Sequence, residues 1–264
     1  MPVAFKTRPA LIAYVTCGDP DLATTRGIVL AAAEAGADVI ELGVPFSDPV
    51  ADGPVIQRAS ERALRNGTTL AQVLELGREV RKRSDVGLMI FSYLNPVLRF
   101  GLARFCSAAA DAGIDGALVT DLTVEEAGDY IRCMRGRKLD TVFLAAPTSP
   151  DDRLKRIANA SRGFVYAVSR TGVTGARKEM SKDAQSLVSR LRRFTKLPIA
   201  VGFGISTPEQ FAEVGQYADG IVVGSAIVEV IECAPRGQAA EAVAGWITNL
   251  AGSSQKEVAA AKVR

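Results

Sequence analysis

The stretch ELGVPFSDPVADGP (41–54) holds three carboxyl groups among glycines and prolines: Glu41, at the end of the apolar run DVIELGV, then Asp48 and Asp52. A carboxylate inside an apolar run loses its water, which raises its pKa and makes it a proton donor near neutral pH. Two readings of Glu41 stay open on these grounds: an acid–base catalyst, or a buried carboxylate neutralised by an inward Arg or Lys. Asp48 and Asp52 sit in SDP and DGP, where Asp commonly forms turns through its own side-chain hydrogen bonds. Asp52 is either such a turn former or a second acid at the same mouth as Glu41. The chain contains no histidine. Imidazole-based nucleophile systems and zinc sites are thereby excluded, and acid–base chemistry falls to carboxylates, Lys, Tyr or Cys. No metal site is expected. A Schiff-base lysine is also disfavoured, because the lysines fall in predicted helices and loops rather than at strand ends.

A second set of residues suits an anion. SRTGVTGARKEM (169–180), VGFGIS (201–206) and VVGSAI (222–227) are glycine-bearing loops that each follow an apolar run. The last two resemble a phosphate cradle, because glycine lets backbone N–H groups approach an anion and a helix starting after Gly224-Ser225 adds its positive end; taken singly, each loop reads equally as a plain turn. Carboxylate acid–base chemistry on a phosphorylated small molecule is the function these residues suggest together.

The elements that must position them repeat along the chain. Short apolar runs at 11–15, 39–43, 86–91, 116–119, 141–145, 164–169, 199–202 and 220–223 predict buried parallel strands. Amphipathic patterns such as LATTRGIVLAAAEA and LAQVLELGREVRKR follow them. Gly36 and Gly113 are placed to end helices, and Thr207-Pro208-Glu209-Gln210 reads as a capped helix start. Eight such units predict an α/β fold, a closed (β/α)8 TIM barrel, rather than a doubly wound sheet. The 264 residues show no linker or composition break. One domain over 1–264 is expected, with the barrel at about 10–250 and a frayed tail at 251–264. Side chains alternate along a strand, so if Ile40 and Leu42 face the helices, Glu41 faces the barrel lumen near its catalytic end. Hydrophobic content of 48%, charged content of 23% and a net charge of +3 describe an ordinary globular chain with no footing for nucleic acid or membrane. With no signal layout, no membrane-length apolar run and four scattered cysteines, a cytoplasmic chain with reduced thiols is expected.

Taken in order, YVTCGDP (14–20), AGADVIELGVPFSDPVADGPVIQ (35–57), SYLNP (92–96), SRTGVTG (169–175), GFGIS (202–206) and GSAIV (224–228) resemble the tryptophan synthase alpha chain family, from about Ala10 to about Leu250. The resemblance implies a lyase of tryptophan biosynthesis that splits indole-3-glycerol phosphate into indole and glyceraldehyde 3-phosphate by a retro-aldol reaction. It implies Glu41 as the acid/base and Asp52 as the carboxylate that accepts a hydrogen bond from the indole N–H. It places Tyr166 beside the glutamate and Thr174 in a mobile sixth loop that closes on Asp52. Gly175, Phe203, Gly204, Gly224 and Ser225 match phosphate-binding positions, and Tyr14, Phe91, Leu144 and Val222 match the walls of the indole pocket. It implies an αββα complex with a beta chain that carries pyridoxal phosphate, and no cofactor in this chain. The loop after strand two and the Asn95-Pro96 region would lie in the docking surface. The family's N-terminal helix over the barrel floor is expected to be shortened or absent, since MPVAFKTRP alone precedes the first strand. A free-standing lyase and a non-catalytic activator of the beta chain remain as alternatives.

Overall fold

A computed structural model describes residues 3–168, 177–202 and 204–261. Among them, nine strand segments form one parallel sheet: β1 (Ala10–Thr16), β2 (Val39–Gly43), β3 (Gly87–Ser92), β4 (Gly116–Val119), β5 (Asp140–Val142), β6 (Leu144–Ala145), β7 (Val165–Val168), β8 (Ile199–Gly202) and β9 (Gly220–Val223). Their order is β5-β4-β3-β2-β1-β9-β8-β7-β6. The two ends of that order, β5 and β6, are consecutive in the chain and separated only by Phe143. The sheet therefore closes on itself as a TIM barrel. The expected single strand at 141–145 is divided because its halves serve opposite neighbours. Asp140–Val142 pair with β4, and Leu144–Ala145 pair with β7. Phe143 joins them, its carbonyl accepting from the Tyr166 N–H at 3.2 Å.

Eleven helices surround this barrel among the described residues: α1 (Leu22–Glu34), α2 (Pro54–Arg65), α3 (Leu70–Arg81), α4 (Leu94–Phe100), α5 (Leu102–Asp111), α6 (Gly128–Gly136), α7 (Asp151–Ala160), α8 (Arg177–Arg192), α9 (Pro208–Gly215), α10 (Ser225–Cys233) and α11 (Ala239–Ala261). Local chemistry sets their ends. Asp21 caps α1 by accepting from the Thr24 N–H at 2.7 Å. Thr207 and Gln210 form the expected capping box of α9. Gly36 and Gly113 take the left-handed backbone that turns each chain from helix to strand, at φ 107° and 74°. The helix α11 continues to Ala261, through most of the tail read as frayed.

Strand alternation divides the apolar residues into two bodies. Leu11, Ala13, Ile40, Leu42, Leu88, Ile90, Val201 and Val223 pack outward against the helices. Ile12, Val39, Met89, Leu118, Val142, Phe164, Tyr166, Ala200 and Val222 fill the barrel interior. The parity holds through the divided strand, with Val142 and Leu144 inward and Phe143 and Ala145 outward. No helix precedes β1 among the described residues. Instead the extended N-terminal segment plugs the floor: Val3 joins the interior cluster and its N–H donates to the buried Asp140 carboxylate at 2.8 Å. Phe5 lies against Phe164 with ring centroids 5.5 Å apart.

An ion network pins α2 and α10 together above β1. Arg62 of α2 donates two hydrogen bonds to Asp19, each 2.8 Å, and one to Glu232 of α10, also 2.8 Å. Asp19 is only 3% exposed. Replacing Arg62 by Met leaves that buried carboxylate without its cation. The half-open surroundings of Arg62 moderate the loss, and about 2–3 kcal/mol is expected. The measurement is a urea unfolding midpoint, and a midpoint equal to the parent's would show that the network contributes nothing.

Candidate active site

The carboxyl ends of the strands open into a cavity of about 250 Å³. Its wall includes Tyr14, Glu41, Asp52, Phe91, Tyr166, Gly204, Val222, Gly224 and Ser225. Those nine sequence-predicted residues, drawn from β1, β2, β3, β7, β9, the loops beyond β2, β8 and β9 and the first residue of α10, converge on one space. Leu144 is not part of this wall; it packs with the interior cluster beside Tyr166, its register partner on β7. Thr174, Gly175 and Phe203 lie outside the described residues. Asp48 stands apart on the exposed loop surface.

Glu41 sits in the middle of β2, flanked in register by Tyr14 on β1 and Met89 on β3. Its neighbours Ile40 and Leu42 point to the helices, so its carboxyl points into the lumen. It is 1% exposed, and neither oxygen has a hydrogen-bond partner among the described residues. The inward cation that would neutralise it is therefore missing among them. Burial alone raises its pKa from 4.5 to about 8. An uncompensated buried carboxyl is costly in a purely structural role, and at a cavity wall it is a poised proton donor.

Asp52 has a different setting. It lies in the turn between β2 and α2, its N–H donating to the Pro49 carbonyl at 3.0 Å. Its side chain is free of that turn and accepts from the Tyr93 hydroxyl at 3.1 Å. The turn and the acid readings thus describe its backbone and its carboxyl separately. Burial lifts the pKa to about 6, opposed by the Tyr93 hydrogen bond. Two carboxyls of one cavity are consequently held apart, Glu41 protonated and Asp52 ionised at pH 7.

Two tyrosines and two glycines shape the interior. A Cβ on Gly43 would lie 2.4 Å from the Tyr14 hydroxyl, and one on Gly202 would lie 2.2 Å from the Tyr166 hydroxyl. Each ring lies over a glycine, which is why ELG and VGFG need the missing side chain there. Tyr14 also meets Phe91 edge-on, centroids 5.1 Å apart. Ala59 of α2 and Val228 of α10 cover it. Burial raises the pKa of both phenols well above the usual value, so they stay neutral.

Gly204, Gly224 and Ser225 form a further part of the wall. Helix α10 begins at Ser225 with Gly224 before it and no side-chain cap on its first N–H groups. Gly204 adds a left-handed turn at φ 76°. An uncapped helix start whose dipole points at a cavity is the arrangement that suits an anion such as a phosphate. No group of three or more potential metal ligands forms among the described residues.

Sequence reasoning missed Tyr93, Ile56, Ile205 and Glu229 at or behind this wall. The position of Tyr93 directly after β3, in SYLNP, was the available signal, because every strand's carboxyl end opens on the same mouth. Ile56 and Glu229 belong to helices α2 and α10, and nothing in their spacing tells which helical residues lean over a barrel mouth.

The family model of the tryptophan synthase alpha chain matches residues 3–257. The chain belongs to the tryptophan synthase alpha chain family. The tryptophan synthase alpha chain of Solibacter usitatus is 58% identical over 227 residues, 86% of this chain and 85% of that one. That of Geobacter sulfurreducens is 48% identical over 244 residues, 92% of each chain. A chain of the tryptophan synthase complex from Pyrococcus furiosus superposes with a TM-score of 0.83 at 39% identity, covering 93% of this chain and 98% of that one. Among the described residues no helix is long and apolar enough to cross a membrane.

Proposed function

We propose that Glu41 and Asp52 carry the cleavage of indole-3-glycerol phosphate into indole and glyceraldehyde 3-phosphate, inside one barrel domain. That cleavage is the lyase reaction of tryptophan synthase alpha chains, which act in tryptophan biosynthesis together with a beta chain. The observation supporting the assignment is the Glu41 carboxyl, buried at the cavity wall with no hydrogen-bond partner among the described residues.

The chemistry needs one proton delivered and one removed. Protonation of indole C3 lets the bond to the glyceryl carbon break with the ring leaving as neutral indole. The electron pair of that bond stays with the ring, while the adjacent hydroxyl loses its proton as its carbon becomes an aldehyde. Glu41, protonated at pH 7, gives its proton to the ring and as a carboxylate takes the hydroxyl proton, ending as it began. Asp52, ionised, accepts the indole N–H and stabilises positive charge spreading onto that nitrogen. The ring lies between Tyr14, Phe91 and Val222, with Leu144 in the layer beneath and Tyr166 beside Glu41. The phosphate rests on Gly204, Gly224 and Ser225; the family resemblance adds Gly175 and Phe203, outside the described residues, to these positions. The family resemblance gives Thr174, outside the described residues, the role of closing on Asp52 and excluding water.

The chain works without a cofactor of its own, since carboxylates supply every proton step, and pyridoxal phosphate belongs to the beta chain. Val50 in the loop after β2 is 86% exposed and Leu98 of α4, near Asn95-Pro96, is 57% exposed. Such apolar exposure beside the mouth supports a beta-chain docking face in the αββα complex. A cytoplasmic setting suits its four free cysteines.

The test is indole formation from indole-3-glycerol phosphate by the purified chain, followed across pH with and without a beta chain. Activity is expected to rise through about pH 6 as Asp52 ionises and fall through about pH 8 as Glu41 loses its proton. The beta chain is expected to accelerate it. Equal rates with and without that partner would favour a free-standing lyase, and no indole in either case a non-catalytic activator.

A further inference from the structure

The hydroxyl of Tyr93 touches two groups of the loop between β2 and α2. It accepts from the Ala51 N–H at 3.0 Å and reaches Asp52 Oδ2 at 3.1 Å. The side chain is rigidly held: Tyr93 is 2% exposed, and its ring lies on Phe46 with centroids 5.1 Å apart and planes 33° apart. An amide N–H can only donate, so Ala51 occupies a lone pair of the phenol oxygen. The phenol hydrogen then has two remaining neighbours, the Thr120 hydroxyl, which can itself donate, and Asp52, whose ionised carboxylate can only accept. The direction of both hydrogen bonds follows from the identity of the groups.

The consequence falls on Asp52. No donor among the described residues reaches its Oδ1. Among the described residues, the charged and titratable groups that face it are Tyr14 from β1, Glu41 from β2, Tyr166 from β7, Glu229 from α10 and Tyr93 from the end of β3, with the N-terminus of α2 following directly in the chain. None of these side chains is a cation. Burial opposes the ionised form of Asp52, and among the described residues the Tyr93 hydroxyl is the side chain that opposes burial.

We infer that Tyr93 is a positioning residue for the cleavage: it ties up Asp52 Oδ2, keeps that carboxyl ionised in a dry cavity, and leaves Oδ1 as the acceptor for the ring N–H of the substrate. The inference rests on the assignment of Asp52 made above. It also links loop and site, because the same hydroxyl holds the Ala51 backbone and so sets the angle at which Asp52 enters the cavity.

The experiment is the pH profile of kcat/KM for indole formation, measured with the alpha–beta complex for the parent, Tyr93→Phe, Asp52→Asn and the double variant. Tyr93→Phe keeps the ring on Phe46 and removes only the hydroxyl. Its acid limb is expected to move up by about one pH unit, since a hydrogen bond to the charged form is lost. In the Asp52→Asn background the same change is expected to alter kcat/KM by less than about twofold, because the partner is already gone. A purely structural Tyr93 would lower kcat at every pH, leave the limb in place, and cost as much in the Asp52→Asn background as in the parent; that pattern overturns the inference while Asp52 keeps its role. Parent-like activity in Asp52→Asn overturns both. 3-Fluorotyrosine at position 93, a stronger donor of unchanged shape, is expected to move the limb down instead. It decides the matter alone if Tyr93→Phe does not fold, and an unmoved limb there counts against Tyr93.

Discussion

Glu41→Gln is expected to lower kcat for indole formation by about 10²–10⁴-fold, the usual contribution of a positioned general acid–base group. The amide fills nearly the same space, so the cavity, the phosphate seat and KM should change little. What it cannot do is give up a proton to indole C3 and receive one from the hydroxyl. The fall should be present at every pH, and the alkaline limb near pH 8 should vanish, because the group responsible for it no longer titrates. Single-turnover kinetics of indole release, with the beta chain present, measure this directly. Parent-like turnover in Glu41→Gln would remove Glu41 from the mechanism and leave its buried position without a catalytic reason.

The second large effect is on stability and concerns the same group. In the folded chain the Glu41 carboxyl titrates at about 8, against its ordinary 4.5. A folded-state pKa above the unfolded one means that the folded chain holds a proton the unfolded chain has released. The contribution is therefore complete below about pH 4.5, shrinks as pH rises, and is gone above about pH 8. At about 1.4 kcal/mol per pH unit, the change over that window is on the order of 4 kcal/mol. The Glu41→Gln side chain does not titrate, so the stability of the parent minus that of the variant should decline by this order between pH 4.5 and 8. Asp52, also raised by burial, is present in both proteins and cancels. Urea unfolding at about pH 5, 6, 7 and 8 gives the comparison. Parallel curves would mean that the carboxyl is not desolvated in the folded chain.

The two effects belong together. A carboxyl that is costly to ionise in the folded state is, for the same reason, able to hand over a proton at neutral pH. The cavity wall supplies no compensating donor to Glu41 among the described residues, whereas it supplies Asp52 with the Tyr93 hydroxyl. The difference between the two acids is thus a difference in hydrogen bonding and burial, not in residue type.

Much of this was legible in the amino-acid sequence. Apolar runs of strand length, helix stops at Gly36 and Gly113 and the capping box at Thr207 are local signals, each decided by a few neighbouring residues, and each appears in the fold. The inward direction of Glu41 followed from period-two alternation, because Ile40 and Leu42 could only suit the opposite face. The division of the strand at Phe143 was not legible, since it depends on which neighbour each half meets when the sheet closes. The floor plug of Val3 and Phe5 was also hidden, because a short apolar segment carries no mark of the distant hole it will fill. The sequence by itself determined which chemistry this chain could perform, by omitting histidine and placing a carboxylate in an apolar strand. Only the tertiary structure decided that Glu41 would stand unpartnered among the described residues, that Tyr93 would reach Asp52, and that Gly43 and Gly202 would lie beneath tyrosine rings. Those outcomes depend on contacts between residues far apart in the chain, whose distances are set by barrel closure and by no local pattern.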